Sequence, residues 1–200
     1  MSVMPTIDAM QDAGFPMGGE PLAALDLVDT AILVVDPPRD LLSERPDAWW
    51  DLQSDRLPAG PRPPEAAVLR LRSAMRDLFD AHLEGRAPQA TSVADVNAYA
   101  AAVPTSTQLK LGPDGPVAET RWHTELGGNA ILAALAQEAI ELLSDPDRLA
   151  TLRRCASSSC SMLFLAENKR RIWCSSAGCG NRARAARHYH KTHRGSGDAR

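Results

Sequence analysis

The sequence predicts an α+β protein that is mainly helical, with one β-hairpin and a small cysteine-rich unit at its C-terminus. Aromatic residues make up only 4% of the chain, and much of its 44% hydrophobic content is alanine, which favours helices over extended sheet. Apolar residues recur at helical spacing in several segments, and one Gly-Pro-Asp-Gly run separates two strand-like stretches. All four cysteines lie between Cys155 and Cys179.

The helical segments are bounded by prolines, glycines and capping residues, which start and end helices. We expect helices over residues 21–36, 46–56, 64–83, 91–102, 129–143 and 146–154. The apolar stripe of the third helix consists of Val68, Leu71, Met75, Leu78 and Phe79. Its arginines, including Arg72, are expected to face solvent. Asp26 and Asp29 share one face of the first helix, and we interpret them as capping or solvated carboxylates.

A β-hairpin is predicted after the fourth helix. Residues 108–111 and 117–123 flank the Gly-Pro-Asp-Gly run at 112–115, which is a typical turn sequence. His123 closes this hairpin and has no evident second ligand, so we interpret it as a surface or packing residue. The sequence contains no motif of a phosphate-binding loop, a zinc protease or a serine hydrolase, and therefore gives no support for an enzyme.

Charge divides the chain into two unlike parts. Residues 153–200 carry eleven Lys and Arg against two acidic residues, whereas residues 1–152 carry eleven against twenty-three. The net charge of -3 therefore hides a strongly basic segment behind an acidic body. This asymmetry is typical of a protein in which one segment contacts a polyanion.

No membrane or secretory segment is predicted. No run is apolar and long enough to span a bilayer, and residues 1–11 lack the basic and apolar regions of a signal peptide. We therefore expect a cytoplasmic protein, in which thiols stay reduced.

The four cysteines have the spacing Cys155-x4-Cys160-x13-Cys174-x4-Cys179. Two close pairs separated by a short unit can enclose one structural Zn²⁺ ion in a tetrahedron of thiolates. Disulfides would need an oxidising compartment, and a redox pair has two intervening residues rather than four. A catalytic zinc ion keeps one position open, which four cysteines do not. A structural zinc site is therefore strongly favoured.

The residues between and after the cysteines predict a treble-clef-like, four-cysteine zinc finger. We expect short strands over residues 162–165 and 171–173, and a final helix over residues 181–194. So small a unit is expected to fold only with its metal. The predicted organisation is a flexible leader, a helical domain, the finger and a disordered tail, over residues 1–19, 20–150, 151–194 and 195–200.

These motifs resemble two known families. The cysteine spacing, Leu163-Phe164-Leu165, Trp173-Cys174-Ser175 and the run Cys179-Gly180-Asn181-Arg182 are similar to the CGNR zinc finger, which is named after that run. Upstream, Leu25-Asp26-Leu27-Val28-Asp29-Thr30 resembles the signature of the ABATE domain, which usually precedes this finger in bacteria. Asp29 stands where the family pattern prefers Asn. The resemblance implies a stress-induced transcription regulator.

Basic residues around the finger are the candidate nucleic-acid contacts: Lys169, Arg170, Arg171, Arg182, Arg184, Arg187, Lys191 and Arg194. A polyanion gains from such a surface mainly through counterion release. A merely solvated helix would interleave acidic residues among its arginines, as residues 64–83 do. Asn181, next to the last cysteine, is expected to bond a thiolate or a nearby carbonyl.

The leading hypothesis is a transcription regulator that binds DNA through the finger and senses or oligomerises through the helical domain. The alternative is a zinc-stabilised protein-interaction or self-assembly module without nucleic acid, because fold does not decide function. A third possibility is that the basic segment docks on the acidic body of its own chain or of a partner chain. Expected partners are DNA, a second copy of the chain and an unidentified small-molecule effector.

Overall fold

The structure is a computed structural model and describes residues 7–15, 22–113 and 115–194. Its N-terminal elements are α1 (Ile7–Asp12), α2 (Ala23–Val28), β1 (Ala31–Ile32), β2 (Arg39–Asp40), α3 (Leu41–Glu44) and α4 (Pro46–Gln53). The middle elements are α5 (Glu65–Glu84), α6 (Ala90–Ala101), β3 (Thr105–Gly112), β4 (Gly115–Trp122) and α7 (Ala130–Ser144). The last are α8 (Pro146–Leu149), β5 (Leu152–Arg154), β6 (Leu163–Leu165) and α9 (Asn181–Arg194). This confirms the mainly helical α+β class.

The hydrophobic core forms where α5 packs against α2 and α7, with α6 alongside. As predicted, the buried stripe of α5 consists of Val68, Leu71, Met75, Leu78 and Phe79. α5 ends at Gly85, whose φ of 63° is the left-handed conformation that closes many helices. α7 begins after Asn129, whose side-chain oxygen accepts hydrogen bonds from the N–H groups of Ile131 and Leu132. Caps and apolar spacing together therefore position the main layer.

The first long helix is shorter than the sequence predicts. α2 ends at Val28 because Thr30 turns back on it, with its N–H and hydroxyl both donating to the carbonyl of Leu27 at 3.1 and 2.7 Å. The chain then forms β1, which pairs antiparallel with β2. The prediction of a helix up to residue 36 is wrong because a side chain competes with helix propagation there.

Two ion pairs in the body involve a buried charged side chain. Arg72 is only 8% exposed and donates to the carboxylate of Asp40 at 2.8 and 2.5 Å. Asp26 is 3% exposed and accepts a hydrogen bond from Arg56 at 2.6 Å. The predictions that Arg72 faces solvent and that Asp26 is a capping or solvated carboxylate are wrong, because each has a charged partner that makes burial tolerable.

Part of the predicted leader belongs to the core. α1 lies within the predicted leader. Met10 and Phe15 belong to the hydrophobic core and are 1% and 2% exposed. The expectation of a loose segment is wrong for residues 7–15, because they include a helix and because the side chains of Met10 and Phe15 are removed from water. Residues 1–6 and 16–19 of that leader lie outside the described residues.

The predicted hairpin lies between α6 and α7. β3 and β4 pair antiparallel in a register that runs from Thr105 opposite Trp122 to Gly112 opposite Gly115. Asp114, in the turn, lies outside the described residues. Both strands are described along their whole length and contain no buried residue, so the hairpin adds little to the core.

The C-terminal unit differs from the prediction in its strand pairing. The helix predicted over residues 146–154 ends at Leu149, and β5 follows and pairs with β6. The return strand predicted over residues 171–173 is irregular instead. Leu152 on β5 and Leu163 on β6 are fully buried in the core of the body, which favours this pairing. α9 covers the predicted residues, and the tail at 195–200 lies outside those described.

No helix in the described ranges is both long and apolar enough to cross a membrane.

Candidate metal centre

Four cysteine sulfur atoms converge in the C-terminal unit. The Sγ atoms of Cys155, Cys160, Cys174 and Cys179 all lie within 4.8 Å of one another. The Sγ atom of Cys174 is 3.7 Å from that of Cys160 and 3.7 Å from that of Cys179. Cys160 is half-buried and the other three cysteines are buried. The site is therefore enclosed, with one sulfur nearer the surface.

These distances fit a tetrahedral metal site. Ligands at a Zn–S distance of ~2.3 Å place neighbouring sulfur atoms ~3.8 Å apart. A disulfide bond would require a separation of ~2.05 Å, so the cysteines are free thiols rather than bridged pairs. Four sulfur ligands also complete the coordination sphere. The cysteines are positioned to bind one metal ion, and their chemistry suits a structural Zn²⁺.

Each cysteine pair lies in a turn that is stabilised by hydrogen bonds within the turn itself. In the first turn, the N–H of Cys160 donates to the carbonyl of Ser157 at 3.0 Å. In the second, the N–H of Gly180 donates to the carbonyl of Ser175 at 2.9 Å, and the Ser175 hydroxyl accepts from Gly178 N–H at 3.1 Å. The four-residue spacing within each pair is therefore the length of one locally closed turn.

Arg182 places a positive charge against the sulfur cluster. Its guanidinium donates to the Sγ atom of Cys179 at 3.0 Å, and this contact raises the pKa of Arg182. Burial raises the pKa of the Cys155 thiol, whereas hydrogen bonding with Cys174 lowers the pKa of Cys160 to about 5. The Arg182 guanidinium therefore offsets negative charge at Cys179, which suits thiolate binding of a cation.

Arg171 braces the segment between the two cysteine pairs. Its guanidinium donates to the carbonyl of Leu165 at 3.2 Å and to that of Cys174 at 2.7 Å. A third, longer hydrogen bond of 3.4 Å reaches the carbonyl of Trp173. The guanidinium carbon also lies 4.6 Å from the centre of the Phe164 ring. The Arg171 side chain therefore connects β6 to the second turn. In the described residues β6 pairs with β5, and no strand pairing makes this connection.

Comparison with protein families matches both parts of the chain. Residues 151–192 match the CGNR zinc finger, and residues 22–146 match the ABATE family, described as "putative stress-induced transcription regulator". The latter match covers well over half of the chain. The chain belongs to the ABATE family. All four cysteines lie in the CGNR finger, which confirms the predicted structural zinc site. A search of curated proteins finds no match.

The ABATE domain holds the finger through α2 and the residues after it. Both carboxylate oxygens of Asp29 accept from the backbone N–H of Leu163, at 2.9 and 3.1 Å. The hydroxyl of Ser161 accepts from the N–H of Leu33 at 3.1 Å and donates to the carbonyl of Ala31 at 3.4 Å. The interpretation of Asp29 as a cap or a solvated residue is therefore wrong: it is 4% exposed and positions β6.

A second contact between the two parts is ionic. Arg154, on β5, donates to Asp80 at 2.7 Å and to Glu84 at 2.8 Å, both on α5 of the ABATE domain. The sequence left open that the basic segment contacts an acidic body, but it did not identify the residues of this contact or of that of Asp29, because the partners are 70 to 134 positions apart in the chain. The excess of acidic residues in the body was the only available signal for the ionic contact.

The basic residues predicted to contact nucleic acid have unequal surroundings. Five of them are exposed: Lys169, Arg170, Arg182, Arg184 and Arg187. Arg171 and Arg182 bind the finger's own carbonyls and sulfur, as described above. Lys191 and Arg194 lie on α9, with side chains outside those described. The side-chain oxygen of Asn181 accepts from Arg184, and the described hydrogen bond to a cysteine sulfur comes from Arg182 instead.

Proposed function

We propose that the protein is a transcription regulator that binds DNA through its CGNR finger, while the ABATE domain senses a signal or oligomerises. The observation that carries this proposal is α9, a 14-residue helix with five Arg and Lys and no acidic residue. The description of the ABATE family supports a regulatory role.

The finger remains positively charged when zinc is bound. Residues 153–200 carry a net charge of +9. Four thiolates and one Zn²⁺ ion contribute a formal charge of -2, so about +7 remains. The body, with its net charge of -12 over residues 1–152, disfavours DNA everywhere else on the chain. Electrostatics therefore directs a polyanion to the finger.

The basic residues of α9 are spaced as a contact surface. Positions 184, 187, 191 and 194 recur at intervals of three and four residues, which places them on one side of a helix. Arg184 also donates to the carbonyl of Ser176 at 3.0 Å, so the start of α9 is attached to the second cysteine turn. A helix fixed to the metal centre presents its arginines in a set orientation, which phosphate recognition requires.

The proposal is tested by fluorescence anisotropy of the zinc-loaded full chain with a labelled mixed-sequence duplex. If about five phosphates are neutralised, log K falls against log salt with a slope of about -4 to -5. The double variant R184A/R187A is expected to weaken binding by about tenfold and to reduce the slope by about 2. Its control is R62A, because Arg62 is exposed on the acidic body and pairs with Asp51. A flat salt response, or equal effects of both variants, contradicts the proposal.

The finger as a protein-interaction module remains the alternative, and one observation favours it. Ile172 and Tyr189 are 49% and 59% exposed on the finger. Exposed apolar side chains of this kind suit a protein partner, and an exposed tyrosine also suits stacking on a base. Zinc-loaded protein that binds no duplex at low salt would favour this alternative.

We also propose a cytoplasmic location, because four unpaired cysteines hold zinc best where thiols stay reduced. An effector has a suitable site at the junction of the two parts, where a cleft of about 580 Å³ lies beside the metal centre. Residues lining this cleft include Phe15, Ile32, Arg39, Cys160 and Arg182. A ligand there would touch both the ABATE domain and the finger, and titration calorimetry with candidate anions tests for it.

A further inference from the structure

The hairpin of β3 and β4 is held firmly at its base. The N–H of His123 donates to the carbonyl of Pro104 at 2.9 Å. The His123 ring also bonds the Ser106 hydroxyl at 2.9 Å and the Glu125 carboxylate at 2.8 Å. Gly128 follows with a φ of +81°, and a Cβ atom there would approach the carbonyl oxygen of Ala102 to 2.4 Å. The hairpin is therefore presented in a fixed direction rather than tethered loosely.

The two faces of this hairpin differ sharply in chemistry. Directly opposed residues share a face, so the register assigns each residue to one side. The uncharged face consists of Thr105, Thr107, Leu109, Leu111, Pro116, Ala118, Thr120 and Trp122. The charged face consists of Ser106, Gln108, Lys110, Val117, Glu119 and Arg121, and Lys110 pairs with Glu119 across it. Only the uncharged face combines large apolar side chains with a complete lack of charge.

The uncharged face is open to solvent. Leu109 and Leu111 are 75% and 84% exposed, the highest values among the exposed large hydrophobic residues in the described ranges. A two-stranded hairpin gains little stability on its own in water, and an exposed apolar face generally marks an interaction site. Covering this face would remove two leucines from water at no cost in buried charge.

We propose that a second copy of this chain packs on the uncharged face, so that two hairpins meet face to face across a two-fold axis. In such a contact the residues near the axis face their own copies, so a charged side chain there would be repelled by its copy. A face without charge satisfies that condition, and the Lys110–Glu119 pair stays in water on the far side. This inference deepens the oligomerising role proposed for the ABATE domain and does not depend on DNA binding.

The size of the face sets the expected strength of the dimer. Eight residues at ~3.4 Å each give a length of about 27 Å, and two strands with their side chains are roughly 10 Å wide. Two such faces bury less than the ~1,200 Å² typical of stable complexes. We therefore expect a reversible dimer that forms at tens of micromolar or above, roughly the range of small interfaces.

The test is the mass of the zinc-loaded full chain by sedimentation equilibrium, from about 5 μM to about 0.5 mM. The wild type is expected to shift from monomer to dimer across this range. L109E introduces a charge near the middle of each uncharged face, so that the dimer would bury two like charges, and it is expected to raise the dissociation constant at least about tenfold. V117E is the matched control, because Val117 is a 50% exposed aliphatic residue on the opposite face of the same hairpin.

A wild type that stays monomeric throughout overturns the inference, as does a dimer that L109E and V117E weaken equally. Both variants change exposed side chains, and circular dichroism verifies that each is folded. Because no nucleic acid is present, failure here leaves the proposed DNA binding untouched. Conversely, a dimer that binds no duplex supports this inference and contradicts the proposed function.

Discussion

The ABATE domain buries large apolar side chains from several helices, whereas the finger has a core of its own made of four cysteines with Met162, Phe164 and Ala166. The first core is stabilised by removal of apolar surface from water and needs no ligand. The second is too small for that and depends on a metal ion. It also depends on its neighbour, because Leu152 and Leu163 from the C-terminal unit lie in the larger core. The comparison teaches that the finger is supported from two sides, by zinc and by the ABATE domain.

Removing the metal support is expected to have the largest effect. C174S eliminates the sulfur that lies 3.7 Å from two others, so we expect zinc content to fall from about one ion per chain to almost none. The finger should then unfold while most helical circular dichroism remains, because the ABATE core is intact. Elemental analysis and chymotrypsin digestion check this. S159A, an exposed neighbour, should keep its zinc; full zinc in C174S would show that the ligand set is wrong.

Removing the support of the ABATE domain is expected to have the next largest effect. D29A leaves the buried N–H of Leu163 without the acceptor that it has in the wild type, which costs about 1–3 kcal/mol. D29N should cost less, because its amide oxygen still accepts. Urea unfolding of the zinc-loaded chain measures both, with D51A on an exposed carboxylate as control. Equal stability of D29A and D51A would mean that the two parts are not coupled through α2.

The internal brace of the finger should come third. R171A removes hydrogen bonds to three carbonyls, with an expected loss of about 1–2 kcal/mol in the stability of the zinc-bound finger. R170A changes the adjacent, exposed arginine and is expected to leave stability unchanged. Zinc release by a competing chelator at increasing temperature distinguishes them. If R170A and R171A release zinc at the same rate, the hydrogen bonds of Arg171 do not stabilise the finger, and Arg171 contributes only its charge.

The smallest expected effect is a loss of stability at acidic pH, and it involves the ABATE domain alone. Hydrogen bonding to Arg72 holds the pKa of Asp40 below its ordinary value of 3.8. The resulting stability is present above that value and is lost as the pH falls through the lower pKa of the folded state. Between about pH 5 and pH 2 we expect the wild type to lose about 1 kcal/mol more than D40N, whose amide oxygen still caps α3. Urea unfolding in chelator, followed by tryptophan fluorescence, checks this; parallel losses would contradict it.

The sequence predicted features that depend on local spacing. The stripe of α5 follows from a period of 3.6, the hairpin follows from the turn sequence between two strand-like stretches, and the metal centre follows from two cysteine turns of equal length. These signals lie within about 25 consecutive residues, where chain geometry determines which side chains meet. For that reason the longer helices and the hairpin of the ABATE domain and the ligand-bearing cysteines were accessible without a structure.

Long-range polar contacts could not be predicted in the same way. Asp29 and Leu163 are 134 positions apart, and one partner is a backbone N–H group that has no signature in the sequence. In the sequence, Arg72 and Arg171 cannot be distinguished from arginines that are exposed to solvent. The sequence does not show whether a guanidinium is hydrated or donates hydrogen bonds to a carboxylate or to carbonyl groups. The pairing of β5 with β6 was likewise hidden, since it depends on where Leu152 and Leu163 pack.

The position of those two leucines has a consequence for how the protein can be divided. The family boundary falls between residues 146 and 151, yet the side chains of Leu152 and Leu163 belong to the packing unit upstream of it. The finger is therefore not an independent folding unit. If it were expressed alone, Leu152 and Leu163 would be exposed to solvent, and the remaining domain would contain a cavity at the positions that they occupy. Any graft or swap that keeps both halves folded has to move the finger together with the surface of α2 that receives it.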